Sequence, residues 1–232
     1  MTRRPFVSAA GQDWLLPFYD PFTRWLGVES AHRRLIDQAD VRPGHRVLEI
    51  GCGTGNLATL LKRIHPEAEV VGLDPDPKAL ARARRKAAST AASIEFDLGF
   101  SEELPYPDGS FDRVLSALMF HHLDLPVKKL ALLEARRVLR SGGSIHMVDL
   151  AAGGETFHGF LARHFHPGHG SRFSSGESVP ALMAHAAFRD AGEVAQDRVL
   201  LGRIAYYRAF VSAVPGSTAS TPATVGGSLQ GG

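Results

Sequence analysis

"VLEIGCGTGN", residues 47–56, decides how the rest of the chain is read. Apolar and β-branched residues lead into three glycines at alternate positions, Gly51, Gly53 and Gly55. An acid, Glu49, stands two residues before the first of them. Upstream, "HRVLEIG" has the apolar, β-branched character of a buried strand. Downstream, Leu57, Leu60, Leu61 and Ile64 recur at i, i+3, i+4 and i+7, the stripe of a helix that Pro66 stops. The glycines therefore occupy a strand-to-helix turn.

The same alternation continues outward. "AEVVGLD" reads as a second strand, and "DPKALARARRKAAS" as a second helix with Asp76 as N-cap and Pro77 in its first position. "SIEFDLG" and "SFDRVLSALM" predict strands three and four. "LPVKKLALLEARRVLR" predicts a helix closed by Ser141-Gly142-Gly143, and "GSIHMVDL" a fifth strand. Strand–helix–strand units at this spacing imply right-handed crossovers onto one parallel sheet covered on both faces. "ESVPALMAHAAFRDAG" predicts a helix ending at Gly192. "EVAQDRVLL" and "RIAYYRAFV" then follow, separated by Gly202, a connection too short for anything but a hairpin. The fold class is thus α/β, doubly wound, with a mostly parallel sheet and one antiparallel strand near an edge.

The 232 residues suit one large α/β domain. An apolar fraction of 44%, with 22% charged residues and a net charge of +2, is that of an ordinary globular chain. There is no basic block of the kind that tracks a nucleic-acid backbone; the arginines of "ARARRKA" read as a solvated helix face. The single cysteine, Cys52, excludes a disulfide framework and a CxxC zinc site. The first residues lack the apolar core of a secretory signal, and no window approaches a membrane span. These features point to a reducing, cytoplasmic compartment. The expected organisation is a helical cap over 1–40, rich in aromatics and broken by Pro17 and Pro21, and a catalytic domain over 41–213. Residues 151–190 form an insertion in that domain. The tail, 214–232, is built from Gly, Ser, Thr, Ala and Pro and is expected to be disordered.

Ligands of open parallel sheets bind beyond the carboxyl ends of the strands. Glycines there allow φ > 0 and let a ligand approach the backbone. A dinucleotide turn reads G-x-G-x-x-G and offers amides to a pyrophosphate. Here the third glycine comes one place early, and Glu49 opposes a phosphate but suits a cation. Asp74, ending the second strand, is placed to accept both hydroxyls of a ribose. The set fits an adenosine ligand with an ammonium or sulfonium centre and no phosphate.

By these residues the chain resembles the class I S-adenosylmethionine-dependent methyltransferases, and within them the ubiquinone/menaquinone-biosynthesis branch. The resemblance is carried by "VLEIGCGTGN", "VVGLDPDP" (70–77), "GFSEELPYPDGSFDRVLSALMFHHL" (99–123) and "RVLRSGGSIHMVD" (137–149), in family order, and covers about residues 30 to 210. It implies a Rossmann-like sheet of seven strands with the last antiparallel, and S-adenosylmethionine as cofactor. Gly51, Cys52, Gly53, Gly55 and Asn56 would hold its methionine part, with Glu49 supporting the turn. Asp74 would take the ribose and Pro75 the adenine. Many relatives carry Gly-Asp-Ala after the third strand, the acid holding the adenine amino group. This chain has Gly99-Phe100-Ser101, so the Phe100 backbone and ring, with Ser101, would serve instead. Ser116 and Ala117 would line the methionine side, and Tyr19, beside Asp20, would close over it.

His121 and His122, after the fourth strand, stand near the expected methyl group. Either can act as general base or substrate contact, or merely pack. "FHGFLARHFHPGHG" (157–170) brings His158, His164, His166 and His169 close in sequence, but without a neighbouring acid; it reads as substrate lid ahead of metal site, and no metal is expected. Cys52 fits as a small apolar side chain in the turn. The expected partner is a small-molecule methyl acceptor, aromatic or lipophilic to match Phe6, Trp14, Phe18, Trp25, Phe157, Phe160 and Phe165. The rival functions are an NAD(P)-dependent oxidoreductase and a non-catalytic partner subunit that keeps the fold.

Overall fold

The computed structural model describes residues 27–90, 92–151, 177–200 and 202–213. Its elements are α1 (Val28–Ala39), β1 (Arg46–Ile50), α2 (Asn56–Ile64), β2 (Glu69–Asp74), α3 (Pro77–Ser89) and β3 (Ile94–Leu98). They are followed by β4 (Phe111–Ala117), α4 (Leu125–Val138), β5 (Leu139–Leu150), α5 (Val179–His185), β6 (Arg189–Val199) and β7 (Gly202–Phe210). The strands form one sheet in the order β3-β2-β1-β4-β5-β7-β6. β3, β2, β1, β4 and β5 run parallel. β7 is antiparallel to both neighbours, β5 and β6. The chain is therefore the seven-stranded, doubly wound α/β fold expected, with its antiparallel strand one place in from the edge.

Apolar side chains alternate between two cores, as a period of two requires. One core joins Leu35, Val47, Leu61, Leu80 and Tyr206 beneath α1, α2 and α3. The other joins Leu48, Val71, Leu132, Met147, Met183 and Tyr207 beneath α4 and α5. Residues 28–39, which fell in the expected cap, are α1 and contribute Ala31, Leu35 and Ile36 to the first core. Residues 1–26, most of the 151–190 insertion and the tail from 214 lie outside the described residues.

Two helix ends differ from the sequence reading. α4 stops at Val138, and Ser141-Gly142-Gly143 lies within β5, because buried Leu139 already pairs with Phe111. α5 stops at His185, and Arg189 to Gly192 belong to β6. No glycine or proline marks that stop. Ala187 and Asp190 make the turn at φ 61° and 51°, so a left-handed conformation is carried by side-chain-bearing residues. Asp76 is the expected N-cap of α3, accepting from the Lys78 amide at 2.8 Å.

One buried group ties α1 to the sheet. The side-chain amide of Gln38 donates to His146 Nδ1 at 3.2 Å, and His146 Nε2 lies 2.9 Å from Ser144 Oγ. Burial, helped by the positive charges of Arg113 and Arg208, lowers the imidazole from 6.5 to about 3. The unfolded chain therefore takes up a proton near pH 6.5 that the fold refuses until about pH 3. This contribution to stability is present above pH 6.5 and is lost as pH falls toward the folded value. Denaturant unfolding as a function of pH should show it. Wild type should lose up to about 1.4 kcal/mol per pH unit more than His146→Gln below pH 6.5, and equal slopes would refute the assignment.

Candidate active site

The strand order reverses between β1 and β4, where the turn after β1 and the segment after β4 diverge to opposite faces of the sheet. At that crevice the glycine turn is fixed from below. The amides of Gly51 and Cys52 both donate to the Leu73 carbonyl, at 2.8 and 3.0 Å, and Gly55 donates to Cys52 at 2.8 Å. Gly51, Gly53 and Gly55 have φ of 75°, 51° and 75°. At Gly55 a β-carbon would also sit 2.9 Å from Ala83 and 3.1 Å from the Phe96 ring. The side chain of Cys52 turns inward and packs over Gly72, where a β-carbon would lie 2.9 Å from its sulfur. Burial raises this thiol well above its usual range.

Asp74 joins two turns. Its Oδ2 accepts from the Gly53 amide at 2.8 Å and its Oδ1 from the Asp76 amide at 2.9 Å. Burial raises its pKa above the ordinary value, while those two amide bonds act in the opposite direction. Each oxygen keeps a lone pair for a hydroxyl donor. Glu49, 3% exposed, faces the same side of the sheet. Burial pushes its carboxyl well above the usual range, the amide of Ala58 opposes this, and the nearby charge of Asp74 adds to it. Its Oε2 is buried without a hydrogen-bond partner. Lys86 reaches across from α3 to Thr54 Oγ1 at 3.5 Å and to Asn56 Oδ1, so the Asn56 side chain is engaged in holding the turn.

Beyond β3, Gly99 donates to the Asp74 carbonyl at 3.2 Å, and Phe100 forms a one-residue bridge with Glu103. Ser101 is buried, with its hydroxyl donating to Glu102 Oε2 at 3.3 Å. Pro75 is half-buried beside this segment. Leu98 was missed in the sequence. It is 60% exposed, in register with Asp74 and hence on the same face, an apolar surface next to the carboxylate.

Across the crevice, Ser116 is buried with an unpartnered hydroxyl, and Ala117 is half-buried. Leu118 turns the chain at φ 53°, and the Met119 side chain then lies against Gly51, its Cγ only 2.3 Å from where a β-carbon there would stand. A single helical turn, Phe120–His122, follows. Asp149, at the end of β5, is the second residue the sequence did not disclose. Its Oδ1 lies 2.5 Å from His121 Nδ1, its Oδ2 accepts from the His121 amide at 3.0 Å, and Oδ1 also accepts from Leu150 at 2.7 Å. Burial would raise this acid, but the hydrogen bond of His121, and its charge when the ring is protonated, outweigh it and hold the group below its ordinary value. His122 is exposed, its ring 3.9 Å from that of His121. The signal for Asp149 was the "MVD" that closes β5 one strand over from "FHH".

Tyr19, Asp20 and the histidines of 157–170 lie outside the described residues, as do the seven aromatics of the expected acceptor pocket. Among the described residues no three His, Cys, Asp or Glu side chains converge as a metal site, and no helix is long and apolar enough to cross a membrane.

Residues 47–143 match a family described as a methyltransferase domain. The chain is similar to the demethylmenaquinone methyltransferase of Thermus thermophilus, 38% identical over 138 residues, 58% of this chain and 62% of that protein. It is also 42% identical over 112 residues to the fatty-acid O-methyltransferase of Mycolicibacterium smegmatis, 48% of this chain and 39% of that one. A SAM-dependent methyltransferase from Aquifex aeolicus has the same fold, with a TM-score of 0.62 at 19% identity over 78% of this chain and 89% of its own. Residues 47–143 are thus similar to a methyltransferase domain, on a sheet with the fold of a solved SAM-dependent methyltransferase. It spans about half the length of the curated relatives it matches.

S-adenosylmethionine, the cofactor that the resemblance implies, suits the donors present. Glu49, Asp74 and Asp76 are all buried carboxyls at adjoining strand ends, hostile to a pyrophosphate and favourable to a cation. The oxidoreductase alternative is not favoured. The turn itself is testable through its glycines. As a reference outside the turn, before β1, Gly44→Ala, at φ 77° with nothing within 4 Å, should cost about 1–2 kcal/mol of unfolding free energy from backbone strain alone. Gly55→Ala, at φ 75° against Ala83 and Phe96, should cost about 1–3 kcal/mol beyond that. Equal losses in urea unfolding would show that the turn is not close-packed on the sheet.

Proposed function

We propose that this methyltransferase transfers a methyl group to a hydroxyl of a small aromatic or lipophilic acceptor. The observation that carries the reading is the His121–Asp149 pair, a half-buried imidazole tied to a buried carboxylate at the crevice beside the glycine turn. An ionised carboxylate only accepts, so the pair places the ring proton on Nδ1 and leaves Nε2 as the acceptor nitrogen of the neutral ring. The second bond from the carboxylate, to the His121 amide, fixes backbone and ring together. An acceptor hydroxyl would give its proton to Nε2 as its oxygen attacks. The backbone of Gly51 to Asn56 would hold the methionine part of the cofactor, Asp74 the ribose, and Pro75 with the 98–101 segment the adenine. When bound there, the cofactor would supply the methyl group from its sulfonium, whose sulfur would become a neutral thioether. In-line displacement of this kind depends on alignment, which the pinned turn provides. The names of the relatives, which specify demethylmenaquinone and fatty acid, agree with a lipophilic acceptor.

The test is methyl incorporation from labelled cofactor across a panel of phenols, alcohols and preformed anions, read as a mass gain of one CH₂. Asp149→Asn and His121→Ala should each lower kcat for the hydroxyl acceptor about 10²–10⁴-fold. Calorimetric affinity for S-adenosylhomocysteine should stay unchanged. No incorporation with any acceptor would favour the non-catalytic subunit. Equal activity of wild type and both variants would remove the proton-transfer role.

A further inference from the structure

The environment of Glu49 has a property that cofactor binding by itself does not require. The carboxyl is 3% exposed at the end of β1. One oxygen takes the Ala58 amide at the start of α2, and Oε2 has no partner. The charged and titratable groups around it are Asp74 from β2, Cys52 from the turn and Lys86 from α3. Arg84 lies further out, bonded to the Phe96 carbonyl, and His32 from α1 is held neutral by burial, at about 4. Lys86 supplies positive charge, but it is tethered to Thr54 and Asn56, while Asp74 adds negative charge. A buried carboxylate with a vacant oxygen and too little countercharge takes up a proton rather than remain ionised.

The cofactor brings a positive sulfonium to these strand ends, and the product of methyl transfer is the same nucleoside with a neutral sulfur. We propose that Glu49 reads this difference: it gives up a proton to solvent when the sulfonium cofactor binds, and retains the proton when the thioether product occupies the site. The inference rests on the cofactor lying over Gly51 and Asp74. The step balances: the Glu49 O–H bond breaks as the cation arrives, and after methyl transfer removes that charge one proton returns from solvent. Glu49 is then the group through which the site distinguishes cofactor from product by charge, since the two ligands otherwise present the same adenine, ribose and amino acid. The amino-acid ends are common to both, so comparing the ligands isolates the sulfur.

Titration calorimetry of the full chain with S-adenosylmethionine and with S-adenosylhomocysteine tests this. Both titrations are repeated near pH 6 in buffers of different ionisation enthalpy, which converts released protons into heat. The cofactor should release more protons than the product does. Its affinity relative to the product should rise with pH, approaching tenfold per pH unit in the limit of one proton. In Glu49→Gln, which keeps an acceptor for Ala58, the difference in protons should vanish and the affinity ratio should become flat with pH. Infrared difference spectra of the wild type give a second readout free of any folding defect in the variant. A protonated-carboxyl band should disappear with the cofactor and persist with the product. Equal proton release by the two ligands, or a difference that survives in Glu49→Gln, would overturn the proposal. Failure of both ligands to bind would instead overturn the placement of the cofactor, and this proposal with it.

Discussion

Asp74 is the point on which the site depends. One carboxylate holds the amide of Gly53 in the turn after β1 and the amide of Asp76 in the turn after β2. Two loops, one entering α2 and one entering α3, are thereby fixed before any ligand arrives. Gly51 and Cys52 add bonds to Leu73 of the same strand, so the glycine turn is attached to β2 as firmly as to the strand it follows. Loops ordered in advance do not have to be ordered by the ligand, and the saved conformational cost appears as affinity. The arrangement also explains the inward Cys52 and the bare Gly72. A larger residue at either position would lift the turn off the sheet and break the Asp74 bridge.

The period of two along each strand divides the chemistry between the faces. Glu49, Asp74 and Leu98 project toward α2 and α3 with the first core, whereas Ser116 and Asp149 project toward the α4 side with the second. The groups proposed to hold the cofactor and to take the proton thus come from opposite sides and meet only over the carboxyl edge, between β1 and β4. Met119 stands at that meeting point against Gly51. A one-residue slip of β4 against β5 would carry Ser116 to the wrong face. The register from Arg113–Ser144 to Ala117–Val148 is unbroken through this region, and the irregularity lies at the other end, between Phe111 and Arg113.

The parts of this arrangement written in local chemistry were readable in the sequence. Glycines needing positive φ, an N-cap at Asp76, a two-residue-scale connection between β6 and β7 and the acid ending β2 each follow from neighbours within a few positions. The parts that were not readable depend on residues far apart. Asp149 acquires its role from His121, 28 positions away, and nothing within β5 distinguishes it from a strand-ending acid. Leu98 looks like a core residue until the edge position of β3 exposes it. Ile64 completes a helical stripe yet is 36% exposed, because α2 ends beyond the edge of the core it covers. The ends of α4 and α5 were misjudged for the same reason. Pairing of Leu139 with Phe111, and of Arg189 with Phe210, recruits residues into strands that local propensity left in helices.

The distribution of unpaid polar groups carries the last step. Among the described residues five buried side-chain atoms lack a partner: Glu49 Oε2, Asp76 Oδ2, Ser116 Oγ, Thr59 Oγ1 and Arg208 Nε. A buried polar group left without a bond costs roughly 1–3 kcal/mol, so a fold retains few of them by accident. The first three stand at or just past the carboxyl ends of β1, β2 and β4, around the one crevice where the strand order reverses. Packing alone gives no reason for three of the five to gather there; the other two, Thr59 and Arg208, lie apart on α2 and β7. The proposed ligand, with hydroxyl, amino and cationic groups, would give one: binding there would relieve the destabilisation that these buried groups carry, so that part of the stability of this edge of the sheet would belong to the complex.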